Sequence, residues 1–174
     1  MALVKVAVLA YQQPSCNVHE ADHWKDVLIA GEYYMVNKAM PYKKVVINTD
    51  GASRGNPGKA AIGAVIADEQ GGTIHTISRC IGITTNNQAE YKALIEGLEA
   101  ALKLDASEVA IRIDSELIVN QVKGRYRVKN PALKPLYQRV TELLAGFNGF
   151  TIEHISRTFN QGADRLANLA LDAH

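Results

Sequence analysis

Four acidic residues stand at positions where a carboxylate is difficult to explain by folding alone. Two follow short apolar segments typical of strands, and two lie near the predicted starts of helices; these are Asp50 and Asp114, then Glu90 and Asp164. Each has an ordinary explanation by itself, because acidic residues often begin turns after strands and complement the dipole at helix starts. The four together indicate a catalytic site.

Carboxylates gathered at one end of a sheet repel one another, so a counter-charge must neutralise them. Hard divalent cations suit oxygen ligands, and Mg²⁺ in particular is held by carboxylates and retained waters. Two such ions, roughly 3.5–4 Å apart, can flank a scissile phosphate, one activating the attacking water and the other stabilising the leaving oxygen. No side-chain nucleophile is evident, since the chain has no GxSxG elbow and no cysteine beside a histidine.

The segments that would carry these carboxylates form a regular pattern from Lys43 onward. Five segments are predicted as strands, namely residues 45–49, 60–67, 73–81, 109–113 and 151–155. The glycine pair Gly71 and Gly72 marks a hairpin turn between the second and third strands. Three antiparallel strands are thus followed by alternating helices and strands. This order predicts an α/β fold in which helices pack over a mixed sheet.

Four segments favour helices: residues 85–102, 117–122, 131–144 and 160–171. Thr85 and Gln88 form a capping-box pattern at the start of the first helix. Pro131 is predicted to be the first-turn proline of the third helix. Asn160 is the predicted capping residue of the last helix.

Residues 1–42 lack this pattern and are interpreted as an extension of unknown role, whereas residues 43–174 form the predicted catalytic domain. Two hypotheses account for the extension. It is either an optional appendage, which need not be ordered, or an artefact of an upstream start codon, with Met40 as the natural start. Cys16, His19 and His23 lie in this segment but follow no recognised spacing of metal ligands.

Composition bounds the class of protein. The 174 residues are 47% hydrophobic and 21% charged, with a formal net charge of +1, which is ordinary for a globular protein. No apolar run approaches the roughly 20 residues that a membrane span needs. Cys16 and Cys80 are the two cysteines, and neither belongs to a CxxC pair. We therefore expect a cytoplasmic protein with no membrane contact, and a monomer, because no apolar oligomer seam is evident.

Four motifs resemble those of type 1 ribonucleases H, in the same order and at similar spacing. They are residues 47–58 (INTDGASRGNPG), 85–90 (TNNQAE), 113–115 (IDS) and 160–168 (NQGADRLAN). The resemblance covers about residues 43–174. The chain is similar to the short bacterial and archaeal subgroup of this family, which lacks a basic, tryptophan-bearing protrusion. It implies the ribonuclease H-like fold, with a five-stranded mixed sheet, and endonucleolytic cleavage of the RNA strand of RNA–DNA hybrids to 5′-phosphate and 3′-hydroxyl ends.

The resemblance also implies roles for the carboxylates. Asp50 would bridge two Mg²⁺ ions, with Mn²⁺ as a substitute. Glu90 and Asp114 would complete the ion nearer the leaving group, and Asp164 the ion that carries the attacking water.

Substrate contacts follow from the same resemblance. Asn56, Asn86 and Asn87 match positions that touch the minor groove of the hybrid, where the 2′-hydroxyl and shape are recognised. Thr85 matches a DNA-phosphate contact, a role that competes with its role as helix cap. Ser115 is a candidate contact to the RNA backbone.

Two further stretches have both a structural and a substrate-binding interpretation. The glycine-rich residues 51–58 either let the backbone approach the RNA or form a tight connection between strands. Residues 117–141 contain six basic and no acidic residues, with two tyrosines between them, which suits either a solvated face or phosphate binding. The basic residues are Lys123, Arg125, Arg127, Lys129, Lys134 and Arg139.

Many relatives carry a mobile histidine before the last helix, whereas residues 156–159 here are Ser-Arg-Thr-Phe. Arg157 is therefore the candidate for orienting or releasing the product phosphate. His154 is nearby, but it ends a predicted strand and is expected to be packed or on the surface.

The sequence can be compared with two alternatives to a hybrid-specific endonuclease. A catalytically silent nucleic-acid-binding module on the same fold would not need four crowded carboxylates. Another nuclease on this fold, such as a proofreading exonuclease, typically has Asp-x-Glu in the first strand, but Asp50 is followed by Gly51 and Ala52.

Overall fold

The computed structural model describes residues 24–29, 32–37 and 42–173. The chain divides into two compact units, Met1–Met40 and Pro41–His174. In the first, β1 (Trp24–Ile29) pairs antiparallel with β2 (Glu32–Asn37). The sequence pattern did not predict this hairpin. Cys16, His19 and His23 lie outside the described residues.

The second unit contains the five-stranded mixed sheet that the sequence predicts. Its strands, in spatial order, are β5 (Thr73–Thr84), β4 (Gly58–Ala67), β3 (Lys44–Gly55), β6 (Glu108–Ile113) and β7 (Gly149–His154). The first three pair antiparallel, while β6 runs parallel to β3 and β7 runs parallel to β6. The predicted hairpin turn is confirmed, with Gly71 in a left-handed conformation at φ 86°.

Four helices accompany the sheet: α1 (Asn86–Lys103), α2 (Glu116–Val122), α3 (Lys134–Leu144) and α4 (Gln161–Asp172). A single 3-10 turn, Arg157–Phe159, precedes α4. Successive residues of a strand point to opposite faces of the sheet. Ile47 and Thr49 face α1 at Gly97, whereas Asn48 hydrogen-bonds Asn160 at the start of α4. Helices α1 and α4 therefore cover opposite faces. None of the described helices is long and apolar enough to cross a membrane.

The main core lies between the sheet and the helices on the α1 side. It is built from fully buried aliphatic residues of the central strands, of which Val45, Ile47 and Ile111 are examples, and from Leu94 and Leu98 of α1. Burying such a side chain is worth about 1.5–3 kcal/mol. This packing fixes α1 against the sheet and with it the residues at the helix start.

The first strand of this unit extends further than the sequence analysis predicts. The predicted strand of residues 45–49, with Asp50 standing at its end, is too short, because β3 continues to Gly55 by pairing with β4. Its parallel pairing with β6, however, stops at Thr49 and Ile113. Asp50 therefore lies where one of the two pairings ends, in the middle of a longer strand.

The start of α3 also differs from the prediction. Residues 131–133 form a turn in which the side-chain oxygen of Asn130 accepts a hydrogen bond from Ala132 N at 2.9 Å. The helix begins at Lys134, and Pro135, not Pro131, occupies its first turn. A proline is tolerated at either place because neither position requires its backbone N–H.

Candidate active site

Asp50 and Asp114 lie next to each other at the site. Each is the first residue after the parallel pairing of β3 with β6. The last residue pair between β3 and β6 is Thr49 with Ile113. Asp50 and Asp114 follow directly after this pair and are therefore neighbours. Asp50 is only 9% exposed. Two carboxylates at this edge of the sheet interact electrostatically, and the charge of Asp114 is one of the causes that raise the pKa of Asp50.

Helix α1 brings Glu90 to Asp50 from one face of the sheet. The predicted capping box is present: Thr85 Oγ1 accepts from Gln88 N at 3.4 Å, and Gln88 Oε1 accepts from Thr85 N at 3.2 Å. A Cβ on Gly51 would lie 2.1 Å from the backbone N of Glu90. The absence of a side chain at Gly51 therefore lets the helix backbone touch the strand beside Asp50.

Glu90 is held by neutral partners on this side. Its Oε1 accepts a hydrogen bond from Asn86 Nδ2 at 2.9 Å, while its Oε2 is buried without a hydrogen-bond partner. An unpaired buried carboxylate oxygen is costly unless a cation or a proton satisfies it. Glu90 Oε2 is therefore suited to receive a cation or a proton.

Helix α4 brings Asp164 from the opposite face. A Cβ on Gly63, the strand neighbour of Asp50, would lie 2.1 Å from the carbonyl oxygen of Ala163. Here too a missing side chain allows backbone contact between helix and sheet. Asp164 Oδ1 accepts a hydrogen bond from Arg157 at 2.5 Å. This hydrogen bond raises the pKa of Arg157 further above its ordinary value.

Asn160 precedes α4 as predicted, but the prediction that its side chain caps the helix is wrong. Its Nδ2 donates instead to the carbonyl of Thr49 at 2.9 Å and to Asp114 Oδ1 at 3.1 Å. Its Oδ1 accepts from Asn48 Nδ2 at 3.3 Å. Asn160 is 1% exposed, so its side chain joins the start of α4 to the place where the pairing of β3 with β6 ends.

Burial and mutual repulsion shift the protonation of the two inner carboxyls. Burial, and then the charges of Asp114 and Asp164, raise the pKa of Asp50 to about 6. Burial raises the pKa of Glu90 to about 7, despite a hydrogen bond from Ser115 that lowers it. A nearby cation would reverse both shifts, because it favours the charged form.

An open cavity of about 530 Å³ joins three of the four carboxylates, and Asp164 lies beside it, paired with the lining residue Arg157. Its lining comprises Asp50, Asn86, Glu90, Asp114 and Arg157, together with residues 51–54, Asn168 and Leu171. Across the described part of the chain, no three metal-binding side chains already converge into a complete set of ligands. Three of the carboxylates are instead engaged by Asn86, Asn160 and Arg157. The donors nonetheless suit a hard cation: all are oxygens, two have raised pKa values, and one oxygen has no partner.

The predicted substrate-contacting residues cluster around the start of α1. Asn56 Oδ1 accepts from Asn86 N at 3.2 Å, which connects the hairpin turn after β3 to the helix that carries Glu90. Asn87 is exposed beside them. Thr85 serves as the helix cap. Ser115 lies at the start of α2 and lines a small crevice with Glu90.

The glycine-rich residues 51–58 divide into two parts. Gly51 lies within β3 and admits α1, whereas Gly55 and Gly58 border the tight turn into β4, with Gly55 at φ 100°. The interpretation as a strand connection holds for the second part only.

The basic segment forms a second, separate groove. Arg125, Arg127 and Lys134 line it together with Tyr126 and Tyr137. Arg139 does not belong to this groove. It hydrogen-bonds Glu99 on α1 at 2.8 Å.

Arg54 and Asn168 line the cavity, although the sequence analysis did not select them. Arg54 follows Asp50 by four residues on β3, and Asn168 follows Asp164 by four residues on α4. These spacings keep each on the same face as its carboxylate. The alternation could have identified Arg54 only if β3 had been known to continue past Asp50. His154 is exposed at the end of β7 and does not line the cavity.

Comparison with known proteins gives the family. A family profile described as "Reverse transcriptase-like" matches residues 48–170. The bifunctional protein Rv2228c of Mycobacterium tuberculosis is 48% identical over 131 residues, which are 75% of this chain and 36% of that protein. Ribonuclease HI of Halobacterium salinarum is 46% identical over 71% of this chain and 62% of its own length. The chain thus spans between about a third and two thirds of these relatives.

Solved structures of ribonucleases H are also similar to this chain. RNase H1 of Halobacterium salinarum superposes with a TM-score of 0.74 and 44% identity, covering 75% of this chain and 99% of that one. LC11-RNase H1, solved in complex with an RNA/DNA hybrid, gives a TM-score of 0.70 at 45% identity, over 74% and 97% of the two chains. The chain therefore belongs to the reverse transcriptase-like family and, within it, to the ribonucleases H.

Proposed function

We propose that this protein is an endoribonuclease that cuts the RNA strand of RNA–DNA hybrids, leaving 5′-phosphate and 3′-hydroxyl ends. The observation that supports this most is that Asp50, Glu90 and Asp114 line one cavity, with Asp164 paired to Arg157 of the same lining. Two of these carboxyls have raised pKa values, and one has an unpaired oxygen. Relatives named ribonuclease H, one of them solved with a hybrid, support the choice of substrate.

Asp50, Glu90, Asp114 and Asp164 would hold two Mg²⁺ ions, with Mn²⁺ as a substitute. Bound there, the ions supply the positive charge that activates water and stabilises the leaving oxygen. Asp50 is central because it lies between the α1 side and the α4 side. Glu90 and Asp114 serve the leaving-group side, and Asp164 the water side.

Neighbouring residues hold these carboxylates in place. Asn86 fixes Glu90, and Asn160 fixes Asp114 beside Thr49 of β3. Arg157 pairs with Asp164 at the cavity rim and is 74% exposed, so its guanidinium can exchange this carboxylate for the product phosphate. Asn56, Asn86 and Asn87 contact the minor groove, Thr85 a DNA phosphate and Ser115 the RNA backbone.

We also propose that residues 43–174 are sufficient for this activity as a cytoplasmic monomer. A chain that begins at Met40 is expected to cleave hybrid at the rate of the full-length protein. Loss of folding or cleavage in the shorter chain would show that the first 39 residues are structural.

A panel of matched duplexes tests the function. The protein is incubated with a uniformly labelled RNA–DNA hybrid, double-stranded RNA and double-stranded DNA, in Mg²⁺ and in Mn²⁺. We expect internal cleavage of the RNA in the hybrid alone, and none in EDTA. Binding of hybrid without cleavage would favour the silent binding module, and cleavage from an end would favour an exonuclease.

A further inference from the structure

Arg54 lies on the same face of β3 as Asp50. Strand side chains alternate, so Asn48, Asp50, Ala52 and Arg54 all face α4. At about 3.3 Å per residue, Arg54 lies about 13 Å along the strand from Asp50. Both residues line the same cavity. Arg54 is thus placed at a fixed distance from the carboxylates, on a strand that pairing with β4 keeps straight to Gly55.

The guanidinium of Arg54 pairs with the carboxylate of Asp172 in the last turn of α4. The side chains are 57% and 63% exposed. Exposed pairs of this kind contribute little to folding, because solvent and salt screen them and both side chains lose freedom. The pair is therefore easily opened by a competing anion.

The cavity requires such cations for electrostatic reasons. Three carboxylates of its lining, Asp50, Glu90 and Asp114, face a substrate that itself carries a negative charge at every nucleotide. Arg54 and Arg157 are the cationic residues of the cavity lining. Both pair with a carboxylate of α4, at opposite ends of that helix: Asp172 and Asp164.

We propose that Arg54 is a substrate-binding residue that exchanges Asp172 for a backbone phosphate of the RNA strand, a few nucleotides from the scissile one. In the free protein Asp172 pairs with the guanidinium of Arg54, so it competes with the phosphate for this group. This inference rests on the proposed function and adds to it a phosphate contact that is remote from the carboxylates.

If Arg54 binds phosphate, substitutions of Arg54 and of Asp172 should change KM in opposite directions. This distinguishes a binding role from a structural one. Arg54→Ala is expected to raise KM for hybrid about tenfold, the loss of one charge-assisted contact, with kcat unchanged. The salt dependence of binding should weaken by about one counterion. Asp172→Asn should instead lower KM, because Arg54 is released. A structural ion pair would make both substitutions act in the same direction.

Arg112→Ala is the matched control, since Arg112 pairs with Glu153 at 2.8 Å on the surface between β6 and β7, with similar exposure. Equilibrium binding of the hybrid is measured in EDTA as well as cleavage in Mg²⁺. If wild type cleaves hybrid but Arg54→Ala binds like Arg112→Ala, or Asp172→Asn weakens binding, the role of Arg54 is wrong while the function stands. If wild type does not cleave, the proposed function fails, and the binding data still decide whether Arg54 contacts phosphate.

Discussion

Helices α1 and α4 bring carboxylates to Asp50 from opposite faces of the sheet, yet the two sides of the site differ in construction. On the α1 side, Glu90 is partly buried, is held by the neutral Asn86 and has one buried oxygen without a partner. On the α4 side, Asp164 is also partly buried, but it is already paired with the cation Arg157. The α1 side therefore has a carboxylate oxygen free to receive a cation, whereas the carboxylate on the α4 side is already paired with the exposed side chain of Arg157. This difference predicts which substitutions matter most.

The largest expected difference between the two sides separates Glu90 from Asp164. Glu90→Gln should lower kcat on hybrid by about 10²–10³-fold, the scale seen when a buried electrostatic contact at the reacting group is removed. Asp164→Asn should cost less, about tenfold, because Asp164 already has the cationic partner Arg157, whereas Glu90 has a buried oxygen without a partner. Single-turnover cleavage with Mg²⁺ titration measures both. Equal losses would mean that the two sides are not different in the way proposed.

A second prediction concerns pH and the free energy of unfolding in EDTA. Asp50 has a pKa of about 6 in the folded protein against an ordinary 3.8, and Glu90 about 7 against 4.5. A raised carboxyl pKa stabilises the fold below the unfolded pKa, and this contribution is lost as pH rises through the folded pKa. The stability of wild type should therefore fall between about pH 4 and pH 8.

Asp50→Asn removes part of this dependence. It should be more stable than wild type at pH 8 by up to about 3 kcal/mol, since each pKa unit corresponds to about 1.36 kcal/mol. The advantage should shrink at pH 4. Denaturant unfolding at the two pH values measures this difference in the free energy of unfolding. Added Mg²⁺ should raise the stability of wild type at pH 8 but not that of the variant. A variant less stable than wild type at pH 8 would contradict this assignment of buried charge.

Much of the fold follows from sequence patterns because it depends on local signals. The capping box at Thr85, the turn at Gly71 and the apolar strands all lie where predicted. The length of β3 was not predictable, because Gly51 to Gly55 are typical of a turn unless pairing with β4 is known. Asn160 occupies the predicted cap position of α4, but its side-chain partners were not predictable, because its hydrogen bonds reach residues more than 40 positions away.

The third prediction tests the two glycines that admit the helices. Gly51→Ala and Gly63→Ala should each lower the free energy of unfolding by roughly 1–3 kcal/mol, because the added Cβ meets backbone that must move. Each should also lower hybrid cleavage by displacing the helix start. Gly149→Ala is the control, since its Cβ would lie 3.8 Å from the nearest atom. Equal stability in all three variants would remove the close-approach argument.

The smallest expected effect is at Arg157. Arg157→Ala should lower turnover about tenfold without abolishing metal binding, because the guanidinium acts on the product phosphate and not on the ions. His154→Ala is the matched comparison and should retain wild-type turnover. Calorimetric Mg²⁺ titration and steady-state rates separate the two properties. Wild-type turnover in Arg157→Ala would remove this residue from the mechanism.

Cleavage by Asp50→Asn tests the central claim most directly, because Asp50 is the carboxylate shared by the α1 and α4 sides. Wild type and variant are compared on one labelled hybrid in Mg²⁺, after circular dichroism shows that both are folded. The account predicts internal cuts with 5′-phosphate ends from wild type and none above background from Asp50→Asn. Hybrid cleavage by the folded variant at a rate near that of wild type would contradict it.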